Sequence, residues 1–200
     1  MNAVREFVVR APGPADQASA EVDGVPPISD PRFTVADGDR PQTLRQTWLD
    51  TFDWRLFRAG LNLECTAGRG TSELTLTRRD GELVASEVTS RTRWPAMIDA
   101  LPAGPLREHL TPILGVRALL PVVQATIAQT RRRALNSDEK TIAFLTVDRI
   151  ALTQPRPANV PARLTVRPLR GYQAQASRFA DALALAADLA PASQSAVRLR

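Results

Sequence analysis

The stretch Leu61-Asn62-Leu63-Glu64-Cys65-Thr66 alternates apolar and polar side chains with a period of two. This is the period of a β-strand, in which successive side chains point to opposite faces of the sheet. The stretches Glu73-Leu74-Thr75-Leu76-Thr77 and Arg163-Leu164-Thr165-Val166-Arg167 repeat the pattern. The alternation therefore predicts antiparallel strands that have one apolar face and one polar face.

Further strand-like segments lie on both sides of these three, and short turns separate them. Gly68-Arg69-Gly70 and Arg79-Asp80-Gly81 are typical of hairpins, so the strands that flank each turn are expected to pair antiparallel. This many strands at short spacing argues against a doubly wound fold. The predicted strands are residues 4–10, 32–36, 42–51, 61–66, 73–77, 82–89, 119–133, 141–152 and 162–167.

Three segments are predicted to be helical. Residues 94–101 carry Pro95 in the first turn, and residues 105–114 are followed by Gly115 as a C-cap. Residues 172–189 place apolar side chains on one face at helical spacing, which predicts a long amphipathic helix. A loop with one helical turn at 14–20 is expected in the proline- and glycine-rich region before residue 32.

The composition of the 200 residues is that of an ordinary globular domain with a tail, at 44% hydrophobic and 24% charged residues. It excludes a wholly disordered chain, a collagen-like repeat and a disulfide scaffold. No apolar run approaches the roughly 20 residues of a membrane span, and the N-terminus lacks a secretory h-region, so we expect a cytoplasmic protein. The single Cys65 is predicted to be a small buried hydrophobe, and the single His109 has no partner residues for a metal site.

The net charge of +5 comes almost entirely from arginine, because Lys140 is the one lysine among 26 basic residues. Abundant Arg, Ala and Pro are typical of a GC-rich genome, so the basicity is weaker evidence for a polyanion partner than the same charge on lysines. It still favours phosphate, because the guanidinium fork matches phosphate oxygens. No nucleic-acid-binding signature accompanies the charge, and we expect neither nucleic acid nor a membrane as a partner.

The polar face of the predicted sheet has two explanations. It meets solvent, or the sheet closes into a barrel whose interior is polar and whose outside is covered by helices. The residue pattern alone favours the first.

A resemblance to a known family favours the second. The run Trp48-Leu49-Asp50-Thr51-Phe52-Asp53-Trp54-Arg55-Leu56-Phe57-Arg58-Ala59-Gly60-Leu61-Asn62-Leu63 is similar to a signature of the CYTH family, the triphosphate tunnel metalloenzymes. Leu114–Pro121 with Thr130–Arg133, and Val166–Tyr172, resemble later segments of the same family. The last of these is most similar to members in which a CHAD helical domain follows.

This resemblance implies an α+β fold with an antiparallel eight-stranded closed or nearly closed β-barrel, the tunnel fold, covered by helices and followed by a long C-terminal helix. Residues 1–168 would form the barrel, and residues 169–200 the C-terminal amphipathic helix and tail. The family binds triphosphate-like ligands with arginines and lysines and holds divalent metal on glutamates. The layout also suggests the N-terminal part of a longer protein whose CHAD domain, associated with polyphosphate in this family, would follow.

The sequence departs from the family where catalysis would occur. The family's opening Glu-x-Glu-x-Lys falls on Asn2, Val4 and Glu6, or in the alternative register on Glu6, Val8 and Arg10. Its paired arginines fall on Glu64 and Thr66, its next lysine on Thr75, and its last acidic pair in the region of Arg163, Thr165 and Arg167. The resemblance therefore implies a CYTH-like domain that has lost its catalytic residues.

The predicted function is a non-catalytic module that binds phosphate or polyphosphate, or acts as a scaffold, without a cofactor. Alternatively, the arginines that would bind the anion face solvent and have no binding role, or the domain recognises only proteins. The runner-up is a metal-dependent triphosphatase that uses Mg or Mn on a new carboxylate cluster of Glu6, Glu64, Glu73 and Glu87. The anion-binding candidates are Arg45, Arg131, Arg133, Arg149, Arg163 and Arg167.

Overall fold

The computed structural model describes residues 4–9, 28, 30–68, 70–90, 93–186 and 190–191. The helical turn expected at 14–20 lies outside them. The described strands are β1 (Arg5–Val9), β2 (Phe33–Asp37), β3 (Gln42–Asp50), β4 (Leu61–Ala67), β5 (Ser72–Arg78), β6 (Leu83–Thr89), β7 (Leu120–Asn136), β8 (Thr141–Gln154), β9 (Ala158–Asn159), β10 (Ala162–Pro168) and β11 (Ala190–Pro191). The described α-helices are α1 (Arg55–Arg58), α2 (Pro105–Leu114) and α3 (Gln173–Ala186).

The strands form one sheet in which β1-β10-β8-β7-β3-β4-β5-β6 are neighbours in that order. The strand pairs whose registers are described are antiparallel. They include the hairpins β4-β5 and β5-β6, each of which is joined by one of the two predicted turns. The prediction of an antiparallel, mostly β fold with few helices is therefore confirmed. No helix in the described part of the chain is both long and apolar enough to cross a membrane.

The chain divides into two compact units. The first, here the α3 unit, comprises Met1–Gln42, Ala128–Ile150 and Val160–Ser193. The second, here the α2 unit, comprises Thr43–Ile127, Ala151–Asn159 and Gln194–Arg200. Each has its own apolar core, described in turn below.

The core of the α3 unit lies between its strands and α3. Ala176, Phe179 and Leu183 follow one another at helical spacing and are buried against strand residues such as Leu164. The Phe179 ring meets Phe33 edge to face, with 5.6 Å between the ring centroids. The predicted amphipathic helix is confirmed, and its apolar stripe packs on the sheet.

The core of the α2 unit lies between β4, β5 and α2. Leu106, Leu110 and Leu114 form one buried stripe of α2 and pack with Leu63 and Leu74. Gly115 ends the helix with a φ of 55°, as predicted, because glycine adopts this left-handed conformation without a Cβ penalty. The apolar positions that the alternation predicted in β4 and β5, among them Cys65 and Leu76, belong to this core.

A buried carboxylate sets the turn from β3 into α1. Asp50 accepts hydrogen bonds from the backbone N–H groups of Thr51, Leu56 and Phe57 at 2.7, 2.9 and 3.0 Å. Three donors offset the cost of burying this side chain. Asp50 is therefore a structural residue.

The prediction of a helix over 94–101 is wrong. Ala96 exchanges two backbone hydrogen bonds with Leu119, so its N–H and C=O groups are used in a β-bridge and not in a helix. One 3₁₀ turn, Ile98–Ala100, follows it. Leu101 is extended with ψ of 150°, as expected for a residue before proline, so the 3₁₀ turn ends before it.

Phe179→Ala should lower the free energy of unfolding by about 3–5 kcal/mol, because it leaves a cavity between α3 and the sheet. Leu185→Ala, at an exposed position of the same helix, is the matched control and should change it by less than about 0.5 kcal/mol. Urea unfolding monitored by circular dichroism measures both. Equal effects of the two substitutions would show that α3 does not pack as described.

Candidate functional site

Two arginines of β10 lie on the face opposite the core of the α3 unit. Arg163 pairs with Asp148 of β8, and Arg167 pairs with Phe144. The β10 side chains that alternate with these arginines are buried in the core under α3. Since paired residues point to the same side of an antiparallel sheet, all four share the other side. We call this side the polar face of the α3 unit.

Strand β7 adds two more arginines to the polar face. The Arg131 guanidinium lies 5.9 Å from the centroid of the Phe144 ring. Gln129 donates a hydrogen bond from Nε2 to Oδ1 of Asp148 at 2.8 Å. Arg133 follows Arg131 by two residues and so shares its side of the strand. The structure therefore brings together four of the six predicted arginines, namely Arg131, Arg133, Arg163 and Arg167.

The charges of these arginines are only partly compensated. Arg131 forms an ion pair with Asp39, at 3.0 Å between Nη1 and Oδ2. Arg133 donates from Nε to the backbone oxygen of Asp37 at 2.9 Å and forms no ion pair with a carboxylate in the described part of the chain. Arg167 is exposed and forms no ion pair with another described residue. The polar face thus presents guanidinium groups that are available to an anion.

Asp148 is a functional candidate that sequence reasoning missed. Burial raises its pKa, while the hydrogen bond from Gln129 and the positive charge of Arg163 act in the opposite direction. Gln129 is itself held by Gln42, whose Nε2 donates to Oε1 of Gln129 at 2.7 Å. The sequence signal that could have identified Asp148 is its alternation with Phe144 and Thr146 along β8, which places a carboxylate on the arginine-bearing face.

The other two predicted arginines lie elsewhere. Arg149 is exposed and follows the buried Val147 by two residues, so it belongs to the opposite side of β8 from the polar face. Arg45 lies on β3 in the α2 unit, where it pairs with Ala67 and lines a cavity. Neither joins the arginine cluster of the α3 unit.

The four glutamates of the alternative metal site are not brought to one face. Glu64 accepts hydrogen bonds from Gln46 at 2.6 Å and from the indole N–H of Trp48 at 3.0 Å. Glu73 accepts one from the Ser86 hydroxyl at 2.8 Å. The remaining two, Glu87 and Glu6, are elsewhere.

Glu87 pairs with Leu74, and so lies on the α2-covered side of the sheet. A Cβ built on Gly104 at the start of α2 would lie 2.8 Å from Glu87 Oε2. Glu6 pairs with Thr165, which lies between Arg163 and Arg167 on the same side of β10, so Glu6 is a carboxylate of the polar face of the α3 unit. Within the described ranges, no group of three or more His, Cys, Asp or Glu residues is arranged to hold a metal ion. The residues present therefore do not fit the divalent metal of the tunnel metalloenzymes.

Comparison with known proteins supports the fold and not a family assignment. No family model and no curated protein matches the chain. A proposed adenylate cyclase from Bacillus halodurans is 10% identical with a TM-score of 0.50, over 84% of this chain and 94% of that one. A proposed adenylyl cyclase from Hippeastrum, described as having a dominant triphosphatase activity, is 11% identical with a TM-score of 0.53, over 98% of this chain and 91% of that one. These likenesses show that the chain has the tunnel fold that the CYTH resemblance implied.

Asp148→Asn should stabilise the protein by an amount that depends on pH. A carboxyl whose pKa is raised by folding binds more protons in the folded than in the unfolded state, so its contribution to stability falls as pH rises. This fall starts near the unfolded pKa of about 3.9 and ends above the folded pKa. The difference in unfolding free energy between Asp148→Asn and wild type should therefore rise with pH across that window and then level off.

Urea unfolding of both proteins at a series of pH values tests this prediction. Asn keeps an acceptor for Gln129, so the substitution removes the charge and retains the hydrogen-bonding geometry. A difference that stays constant, or that falls as pH rises, would contradict the assignment of Asp148 as a carboxyl whose pKa burial raises.

Proposed function

We propose that this chain is a non-catalytic module that binds phosphate or polyphosphate on the polar face of the α3 unit. Two observations carry the proposal: the β10–β8 register puts Arg163 and Arg167 on one face, and the contact of Arg131 with Phe144 puts Arg131 and Arg133 on the same face. Guanidinium groups bind phosphate oxygens through paired, charge-assisted hydrogen bonds. The anion is held by arginine and not by metal.

The spacing of these arginines suits an extended anion. Side chains two residues apart on a strand are separated by about 7 Å, and those four residues apart by about 13 Å. Arg131 and Arg133 have the first spacing, and Arg163 and Arg167 have the second. A chain of linked phosphates contacts several of these groups at once, whereas a single phosphate contacts one or two, so affinity should increase with chain length.

The carboxylates of this face favour binding over hydrolysis. Metal-assisted hydrolysis needs ionised carboxylates grouped around a cation that activates water. On this face Glu6 lies on β1 and Asp148 lies on β8. Asp148 is engaged by Gln129 and its pKa is raised by burial, which disfavours the ionised form. The absence of a metal-ligand cluster among the described residues supports the same view.

The alternative function is a metal-dependent triphosphatase. It draws support from the shared fold of the Hippeastrum protein, which is described as a triphosphatase. The partner that we propose for the full-length protein is a CHAD helical domain, and the compartment is the cytoplasm. Both rest on the sequence resemblance and composition.

Thermal melting with sulfate, tripolyphosphate and long-chain polyphosphate, each with and without Mg or Mn, tests the proposed function. A ligand at about a hundred times its dissociation constant adds about 2.7 kcal/mol to the folded state. We expect polyphosphate to raise Tm the most, without metal and without release of inorganic phosphate. Metal-dependent phosphate release would establish the triphosphatase instead, and no shift with any anion would exclude the module.

Arg167→Ala should abolish most of the polyphosphate-induced shift in Tm. The substitution removes a guanidinium of the polar face, and this guanidinium forms no ion pair with another described residue. Arg149→Ala is the matched control, since it removes another exposed arginine of the same unit from the opposite side of β8. Each variant is melted with and without polyphosphate. Equal loss in both variants would mean that net charge, and not this face, binds the anion.

A further inference from the structure

The α2 unit contains a cavity of about 780 Å³ that the proposed function does not use. Arg45 and Thr47 line it and pair with Ala67 and Cys65 on β4. Cys65 belongs to the core that α2 covers. The cavity therefore opens on the α2-covered side of the sheet, opposite the side that carries Glu64.

The cavity is positively charged. Arg45 and Arg93 both line it, and no Asp or Glu occurs among its described lining residues. Neither guanidinium forms an ion pair with another described residue, so both charges are available to a ligand. Polar groups able to donate hydrogen bonds surround them, namely Thr43, Thr47, Ser72, Gln124 and Thr126. This combination matches a phosphate or another small anion.

Trp94 supplies a flat apolar wall. It is half-buried and lines the cavity beside Cys65. Burial raises the pKa of the Cys65 thiol, and hydrogen bonds with Ser72 and with Trp94 act in the opposite direction. The bridge between Ala96 and Leu119 anchors the backbone two residues after Trp94. The backbone segment that carries the indole ring is thus held near the cavity wall.

We propose that this cavity binds a small organic phosphate that carries a planar ring. The phosphate group contacts the guanidinium groups of Arg45 and Arg93, and the ring packs on Trp94. The volume lies in the range of about 300–1,000 Å³ that is typical of small-molecule sites. A linear polyphosphate gains nothing from the indole, so this ligand class differs from the one proposed for the α3 unit.

Isothermal titration calorimetry with 1-naphthyl phosphate tests the proposal, with inorganic phosphate and 1-naphthol as partial ligands. Wild type should bind 1-naphthyl phosphate more tightly than either fragment. Arg45→Gln and Arg93→Gln should each weaken binding about tenfold or more, because each removes a charged hydrogen-bond donor. Trp94→Phe, which keeps a smaller ring, should weaken it less. Arg149→Gln, at an exposed arginine that belongs to neither site, is the matched control and should leave it unchanged.

Cys65 provides a second measurement, since it is the one cysteine of the chain. Saturating 1-naphthyl phosphate should slow its alkylation by iodoacetamide in wild type but not in Arg45→Gln. Circular dichroism confirms that each variant is folded. Failure of wild type to bind at millimolar concentration, or equal affinity of wild type and both arginine variants, would overturn the proposal. If Arg45→Gln still binds polyphosphate, the cavity and the polar face of the α3 unit are separate sites, and the failure of one proposal does not affect the other.

Discussion

Each unit of this protein has to bury one apolar face of antiparallel sheet, and the fold follows from that constraint. In the α3 unit the apolar face is covered by Ala176, Phe179 and Leu183, and in the α2 unit by Leu106, Leu110 and Leu114. Covering these faces removes apolar area from water, which is the main favourable term in folding. Because side chains alternate along a strand, fixing the apolar side of each strand also fixes where its polar side chains point. The positions of the arginines are therefore a consequence of core packing.

The separation of apolar and polar side chains in each unit leaves two groups of arginines with different surroundings. On the polar face of the α3 unit, arginines on β7 and β10 are spread along the strands and share their face with Asp148. In the α2 unit, Arg45 and Arg93 converge on a cavity bounded by Trp94. The first arrangement offers repeated contacts to a long anion, and the second offers a bounded volume to a compact one. Glu64, at a position where the CYTH resemblance implies an arginine, is bound instead by Gln46 and Trp48.

The period-two alternation predicted most of the strands, their faces and the turns between them, because it reports directly on burial. It did not predict the extended segment at Ala96, since the bonds to Leu119 that hold it connect residues distant in sequence. For the same reason it grouped Arg45 and Arg149 with the other arginines. Which side of a strand a residue occupies depends on what its neighbours bury, and that required the registers of β3 and β8. The role of Asp148 depends on its burial and on Gln129, neither of which a single strand reveals.

All the cations described on the polar face and in the cavity are arginines, and Lys140, the one lysine of the chain, lies exposed in the turn between β7 and β8. Both surfaces, as far as they are described, therefore present guanidinium forks and no amine to a ligand. Enzymes that acylate lysine amines likewise have no substrate there. The charge balance of the polar face changes through its carboxylates instead, and Asp148 is the one that burial biases toward protonation. Acidification, and not amine modification, is thus the chemical route by which the net positive charge of this surface increases.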